Sequence, residues 1–378
     1  MRLRSLDAFR GITVAAMILV NNPGDWAHIY APLEHAPWNG WTPTDLIFPF
    51  FLFIVGVSIT FALRGHEPWG RHPVASAPGV QGKIIRRGLT LFALGFFLNL
   101  FPRFDFANVR IPGVLQRIGL VYIACSLLFL HTTPRRQMGL TALILIGYYL
   151  LMTVIPVPGV GYANLEPETN LAAWFDYTLL TPAHLYRATR VWDPEGILST
   201  LPAVGTGLLG LLTGRWLQDS TYGSVARQSY KALFLFLAGA WLALVGTLLS
   251  GFFPINKALW TSTFVLLAGG LAMCALAICY YLIDVRQHRS WSGVFVAFGV
   301  NAITVFFLSG LIPRIMNMFT LPNPNGGTWG LKEYLYQSFI VPYVPDPTLA
   351  SLVGALTFVG IWAVILWIMY QKKVIIKV

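Results

Sequence analysis

The chain has 378 residues, 56% of them hydrophobic and only 11% charged. A soluble domain carries roughly 25% charged residues, and this chain has too few to cover the surface of one. With a mean hydropathy of +0.64, this excludes a secreted disulfide scaffold, a disordered chain and a coiled coil. What remains is an all-α, polytopic membrane bundle, read as a single domain over 1–378.

A helix that crosses a bilayer needs about 20 mostly apolar residues. About ten stretches qualify, near 8–21, 44–63, 84–101, 112–131, 138–155, 197–217, 231–252, 259–283, 294–316 and 349–370. The stretch 331–341 is amphipathic and suits an interfacial helix. The N-terminal Arg2 and Arg4 before an apolar run resemble a signal peptide. Asp7 and Arg10 interrupt that run and no small-residue cleavage site follows, so the first helix is expected to be retained.

The formal net charge of +11 does not point to nucleic acid, because no compact basic module is present. In a membrane protein basic residues report orientation instead. With the N-terminus inside, 17 of the 26 cations fall in cytoplasmic segments and 7 on the other side, while Arg10 and Arg117 lie in or at the ends of helices. The expected topology is N-in and C-in. Most acids lie toward the outer face, as do three long segments, 22–43, 156–196 and 317–348, rich in Pro, Gly, Asn, Trp and Tyr. Long segments of that kind carry function or fold into caps, so the last two are read as extracytoplasmic loops and the chemistry is expected to open outward. Cys125, Cys274 and Cys279 sit in apolar runs with no metal spacing.

Four constellations carry polar chemistry. In Ser5–Gly11, Asp7 and Arg10 are three apart and share a helix face, either as a neutralised anchor or as part of a site. In His35–Asp45, a histidine lies beside Trp38 and Trp41 in a Pro- and Gly-rich loop, and a carboxylate stands at the mouth of a helix. His35 reads as a general base and Asp45 as its acceptor partner, or the pair as an interface-belt histidine and a helix cap. Arg117 lies a turn inside a helix, where it must bind an anion or pair with a buried acid. Asp193 and Glu195 precede another helix, as caps or as contacts for sugar hydroxyls or an ammonium. Asn301, within an apolar helix, needs a hydrogen-bond partner. No Gly-rich phosphate loop, Gly-x-Ser-x-Gly or His-Glu-x-x-His occurs, which argues against an ATPase, that type of serine hydrolase and a zincin.

Six blocks in order over about 5–305 resemble the heparan-alpha-glucosaminide N-acetyltransferase family, in its bacterial branch: Ser5–Gly11, His35–Gly40, Asp45–Pro49, Arg110–Arg117, Asp193–Gly196 and Pro254–Trp260. The resemblance implies a multi-pass protein of a bacterial inner membrane. Such a protein moves acetyl from cytosolic acetyl-CoA to the amine of a glucosamine-type sugar across the bilayer, without a metal. The family's active-site histidine falls on His35, and its asparagine in a Val-Asn pattern falls on Asn21. On this reading His35 is a base or an acetyl carrier, with Asp45 as partner and Asn21 or Asn39 as oxyanion donor. Trp38, Asn39, Asp193 and Glu195 would contact the amino sugar. Arg10, Arg117, Lys257 and Asn301 would hold the cofactor. The family's long N-terminal luminal extension has no counterpart here, and the loop between Asn21 and His35 differs in length. Two other classes fit the same features: an amino-sugar permease, and an O-acyltransferase modifying a cell-envelope glycan. A homodimer is expected from the size class alone, since no segment identifies an interface.

Overall fold

A computed structural model describes residues 3–67, 79–218, 224–323 and 326–376. Arg2, Arg71 and Lys377, which enter the charge count above, lie outside the described residues. The architecture is helical, as the composition requires. Its helices are α1 (Arg4–Asn21), α2 (Ile47–Ala62), α3 (Val80–Leu100), α4 (Val114–His131), α5 (Pro134–Val154), α6 (Leu171–Leu180), α7 (Thr200–Gln218), α8 (Val225–Leu248), α9 (Ser262–Cys279), α10 (Ser292–Val300), α11 (Ala302–Met316), α12 (Leu331–Phe339) and α13 (Pro347–Gln371). One short antiparallel ladder, β1 (Thr320–Pro322) and β2 (Thr328–Gly330), pairs Leu321 with Trp329.

Each of the ten apolar stretches falls on a helix, but fewer helices are long and apolar enough to cross a membrane. Among the described residues six qualify, and up to seven if the bent pair α10–α11 is one span. The helices that fall short do so for visible reasons. α1 carries Arg4, Asp7 and Arg10, and α3 carries Lys83, Arg86 and Arg87. α7 is diluted by four glycines and three threonines. The stretch 294–316 is not one straight helix: α10 and α11 meet at 79° around Asn301.

Two glycines let α1 and α10 cross with their backbones in contact. A Cβ on Gly11 would sit 1.7 Å from the Phe295 carbonyl oxygen, and one on Gly299 would sit 1.9 Å from that of Asp7. No other residue fits at that crossing, and close approach of small residues is a principal source of helix association in lipid. The contact fixes the turn of α1 that carries Asp7 and Arg10. Nearer the other end, fully buried Trp260 anchors the interior. Its indole N–H donates to Thr206 Oγ1 at 3.1 Å, and Phe48 of α2 meets it edge-on at 5.1 Å.

The long segments are built rather than slack. The segment 156–196 contains α6, capped by Asn170, whose side chain accepts from Ala173 N at 2.9 Å. The amphipathic stretch becomes α12. Its Tyr336 ring occupies the space a Cβ on Gly24 would need, 2.4 Å away, and lies against Gly354 of α13. α12 thereby ties the segment after α1 to the last helix.

Candidate active site

The chain leaves α1 at Asn21, loops out through His35 and returns at a 3₁₀ turn, Pro43–Leu46, that runs directly into α2. Thr42 precedes that turn, and Asp45 is its third residue. The Asp45 carboxylate is 1% exposed and collects donors from the loop it closes. Its Oδ2 accepts from Thr42 N at 3.0 Å, Ala36 N at 3.0 Å and the Thr42 hydroxyl at 3.3 Å. Its Oδ1 accepts from His35 Nδ1 at 2.7 Å. One carboxylate thus closes the turn that opens the helix and holds the His35 ring.

Lys257 completes the group. Its Nζ lies 3.3 Å from Asp45 Oδ1, 3.0 Å from His35 Nδ1 and 3.5 Å from His35 Nε2. A carboxylate accepts only, so Nδ1 carries the proton that Asp45 receives and has no lone pair to offer Lys257. The ammonium therefore donates to Asp45, and in the neutral ring the lone pair lies on Nε2, 3.5 Å from the same ammonium. Burial pushes the Lys257 ammonium below the ordinary lysine range, against the pull of Asp45 and Glu195. His35 itself is open, its side chain 56% exposed.

These residues line a cavity of about 400 Å³, together with Asn21, Trp38, Phe48, Arg110, Tyr186, Trp192 and Glu195. Trp38 is fixed by its indole N–H, which donates to the Leu165 carbonyl at 3.0 Å, and by Trp192, edge-on at 5.0 Å. On the opposite wall Arg110 grips two acids. Its Nε and Nη2 donate to Asp193 at 2.8 and 2.5 Å, and Nη2 also donates to Glu195 Oε2 at 2.5 Å. Tyr186 stacks on the guanidinium, 4.7 Å from ring centre to Cζ. Burial works against both charges. It is outweighed, so Arg110 is held above the usual arginine range by Asp193 and Glu195, and Glu195 below the usual carboxylate range by Arg110, Arg117 and Lys257.

The other expected residues divide. Asn21, at the end of α1, faces the cavity. Asn39 is exposed and does not line it; its Oδ1 accepts from Asn256 Nδ2 at 3.2 Å, joining the His35 loop to the segment that carries Lys257. Asp193 is buried behind Arg110 and also accepts from Glu195 N at 2.9 Å. Arg117 is 1% exposed and lines neither this cavity nor the next. It donates to the Gly196 carbonyl at 3.0 Å and to Ser199 Oγ at 2.5 Å, and lies over Trp260, 5.0 Å from the ring centre. It braces the Asp193–Glu195 turn against the core.

Arg10 and Asn301 meet at a second cavity of about 270 Å³, with Ser58, Arg87 and Tyr122. Arg10 donates to Asp7 at 3.1 Å, the Gly299 carbonyl at 3.2 Å and Ser58 Oγ at 2.7 Å. Asn301, at the α10–α11 bend, donates to the Val374 carbonyl and accepts from Ile376 N, at 3.2 and 2.9 Å. The two cavities are stacked on the same helices. Phe48, Val114 and Phe306 line the first, and Phe51, Ile118 and Ile303 the second. These pairs are three or four residues apart on α2, α4 and α11, or roughly 5–6 Å of helix rise. Only about one helical turn of side chains divides them.

The sequence reading passed over Arg110, Tyr186, Trp192 and Asn256 as site residues. Arg110 opens one of the conspicuous blocks, but it lies 83 and 85 residues from Asp193 and Glu195, and nothing local pairs it with them. Tyr186 carries no such signal. Among the described residues, no group of three or more His, Cys, Asp or Glu is placed to hold a metal ion.

Comparison with known proteins gives a consistent result. Residues 2–249 match the model of the heparan-alpha-glucosaminide N-acetyltransferase catalytic family. The whole chain aligns with heparan-alpha-glucosaminide N-acetyltransferase of Homo sapiens at 29% identity and with that of Mus musculus at 28%. In both cases it spans about 60% of the relative's length.

Proposed function

We propose that this chain, which belongs to the heparan-alpha-glucosaminide N-acetyltransferase catalytic family, moves an acetyl group from acetyl-CoA on the cytoplasmic side to the amine of a glucosamine-type sugar on the other side of a bacterial inner membrane. The observation that carries this reading is the Asp45–His35–Lys257 group at the wall of an open cavity, one helical turn from a second cavity lined by Arg10 and Arg87.

An amino sugar in water is an ammonium and cannot attack until it loses a proton. His35 Nε2, its tautomer set by Asp45, is the group that takes that proton. In the covalent variant the same nitrogen is the nucleophile and receives the acetyl group first. The carbonyl oxygen that becomes negative on attack needs a fixed donor. Asn21 lines the cavity at the end of a helix, and the Lys257 ammonium adds positive charge beside it. Acetyl-CoA, when bound, supplies the activated acyl group and a thiolate leaving group. The inner cavity suits its anionic portion because Arg87 lines it beside Arg10, whose charge is shared with Asp7, and no carboxylate is among its lining residues. Lys257, grouped with cofactor residues in the sequence reading, is better placed to act on His35 and Asp45. Arg117 is better placed as a brace. On the outer side, Trp38 offers an aromatic face to a sugar ring, and Glu195 offers a carboxylate to hydroxyls or the ammonium.

The test is transfer across a sealed membrane. Proteoliposomes would be given radiolabelled acetyl-CoA on one face and glucosamine on the other. Acetylated sugar on the far face, lost in His35→Ala, supports the reading. Movement of unmodified glucosamine across vesicles by both proteins, without acetylation, makes the chain a permease.

A further inference from the structure

The wall of the His35 cavity carries an amine of its own. Among the described residues that line it, Lys257 is the one primary amine. Its backbone is fixed against the His35 loop. Gly40 N donates to the Ile255 carbonyl at 2.8 Å. Asn256, fully buried, accepts from Leu259 N at 2.8 Å and donates to Asn39 Oδ1 at 3.2 Å. The Lys257 side chain is 20% exposed, and its Nζ lies 3.5 Å from His35 Nε2. An acyl carbon bonded to Nε2 would stand one C–N bond away, ~1.3–1.5 Å, and so within about 5 Å of Nζ. The flexible four-carbon stem can close the rest to the ~3–3.5 Å of a reacting pair. Burial favours the free amine, which is the nucleophilic form, against the pull of Asp45 and Glu195. Arg110, the other basic side chain of the wall, is a guanidinium held by two acids.

We propose that Lys257 is a site of self-acetylation: with acetyl-CoA bound and no amino sugar present, the acetyl group passes to Lys257 Nζ and leaves the protein in a less active form. The proposal rests on the acetyl-transfer reading above. The Lys257 ammonium first loses one proton to water. The free amine then adds to the acyl carbon and forms the new C–N bond. The bond to His35 Nε2 breaks and its electron pair returns to the ring, or, in direct transfer, the bond to sulfur breaks and the thiolate leaves. The second proton of the former ammonium goes to His35 Nε2 in either case. The product amide is neutral. Asp45 thereby loses the cation 3.3 Å from its Oδ1, and the developing oxyanion loses a positive neighbour. The added acetyl group also takes space in the cavity where the acceptor would lie. An amino sugar already bound intercepts the acetyl group and so protects Lys257.

The experiment incubates the protein in phosphatidylcholine nanodiscs with radiolabelled acetyl-CoA and no acceptor. Hydroxylamine then strips acetyl groups from imidazole but not from a lysine amide, and peptide mass spectrometry locates what remains. The wild type is expected to gain a hydroxylamine-stable label at Lys257, approaching one per chain, and to lose glucosamine acetylation in parallel. Glucosamine present from the start should suppress both. His35→Ala should label Lys257 at least about a hundredfold more slowly. Lys257→Arg should carry no stable label there and keep, through the incubation, whatever turnover it starts with. Labelling of Lys257 no faster than of exposed Lys83 and Lys372, or labelling that leaves activity unchanged, overturns the proposal. Should His35→Ala not fold, the wild type still decides, because labelling that glucosamine does not slow is background chemistry and overturns it too. A wild type that acetylates glucosamine yet leaves Lys257 unmodified in its absence ends the self-acetylation and spares the transfer reading. Label at Lys257 that requires His35, in a protein that acetylates no amino sugar, upholds the self-acetylation and places the failure in the acceptor. If neither is acetylated, the transfer reading fails and the proposal falls with it.

Discussion

Asp45 holds His35 at 2.7 Å through one carboxylate oxygen and, through the other, closes the loop that delivers it. Substitutions at the two positions should therefore differ in kind. His35→Ala removes a half-open loop side chain and leaves no core void, so the thermal midpoint should stay close to wild type. Loss of a general base typically costs about 10²–10⁴ in rate. Asp45→Asn presents an N–H₂ where three donors now converge, or turns it toward His35. It should lower both turnover and the thermal midpoint. Parallel melting and acetylation assays separate the two, and a His35→Ala protein that turns over within a few-fold of wild type removes His35 from the chemistry.

Lys257 supplies a pH test. Burial holds its ammonium below the ordinary lysine range, so its charge is lost as pH rises through that lowered value, earlier than for a surface lysine. If the ammonium supports Asp45 and the developing oxyanion, activity should fall on the alkaline side below the usual lysine range. Lys257→Arg, which stays charged, should move that fall to higher pH even where it lowers the maximum. Identical alkaline limbs in the two proteins would show that the charge of Lys257 has no part in turnover.

How much of this was legible in the sequence depends on distance along the chain. Apolar runs and helix breaks are local, so every expected stretch became a helix. His35 and Asp45 are ten residues apart and sit in one readable loop. The bend at Asn301 was invisible because the partners of the Asn301 side chain there, Val374 and Ile376, lie far along the chain. Lys257 reaches His35 across 222 positions, and no pattern near either residue announces the contact. Arg117 shows the same dependence on distance. A charge inside an apolar helix looks like a ligand site, but its partners are a carbonyl, a serine hydroxyl and an indole face from distant segments.

Arg110 offers a stability test. It is the direct partner of two buried carboxylates, Asp193 and Glu195. Arg110→Gln removes the direct partner of both charges, leaving only Arg117 and Lys257 near Glu195, and breaking a buried pair in this way costs about 3–5 kcal/mol. The variant should melt well below wild type. Adding Asp193→Asn and Glu195→Gln should recover much of the loss, since the uncompensated charge is gone. A triple variant no more stable than Arg110→Gln alone would place the effect in packing against Tyr186.

The cation asymmetry bears on orientation. With 17 cations assigned to one side and 7 to the other, both termini should face the cytoplasm. A C-terminal fusion to a reporter that fluoresces only in the cytoplasm should be bright, and added protease should cut the segment 156–196 from the outer face. A C-terminal reporter active only outside would reverse the direction of transfer proposed above.

Asp176, on α6, links the segment 156–196 to pH. Burial, reinforced by the nearby Asp193 charge, raises its carboxyl to about 7, against the opposing hydrogen bond from Ile197 N and the charge of Arg117. A carboxyl whose folded value lies above its unfolded value of roughly 3.9 favours the protonated folded form. Its contribution to stability is therefore complete below about pH 4 and is lost as pH rises toward 7. The wild-type thermal midpoint should carry this falling component between pH 4 and 7. Asp176→Asn has no charge to lose, keeps an acceptor for Ile197 N at the 2.8 Å position, and should show a shallower fall over the same window. The readout is the slope against pH, not the absolute midpoint, because the amide can shift overall stability by itself. Equal slopes in the two proteins would mean that Asp176 is already ionised in the folded state, with Arg117 compensating it.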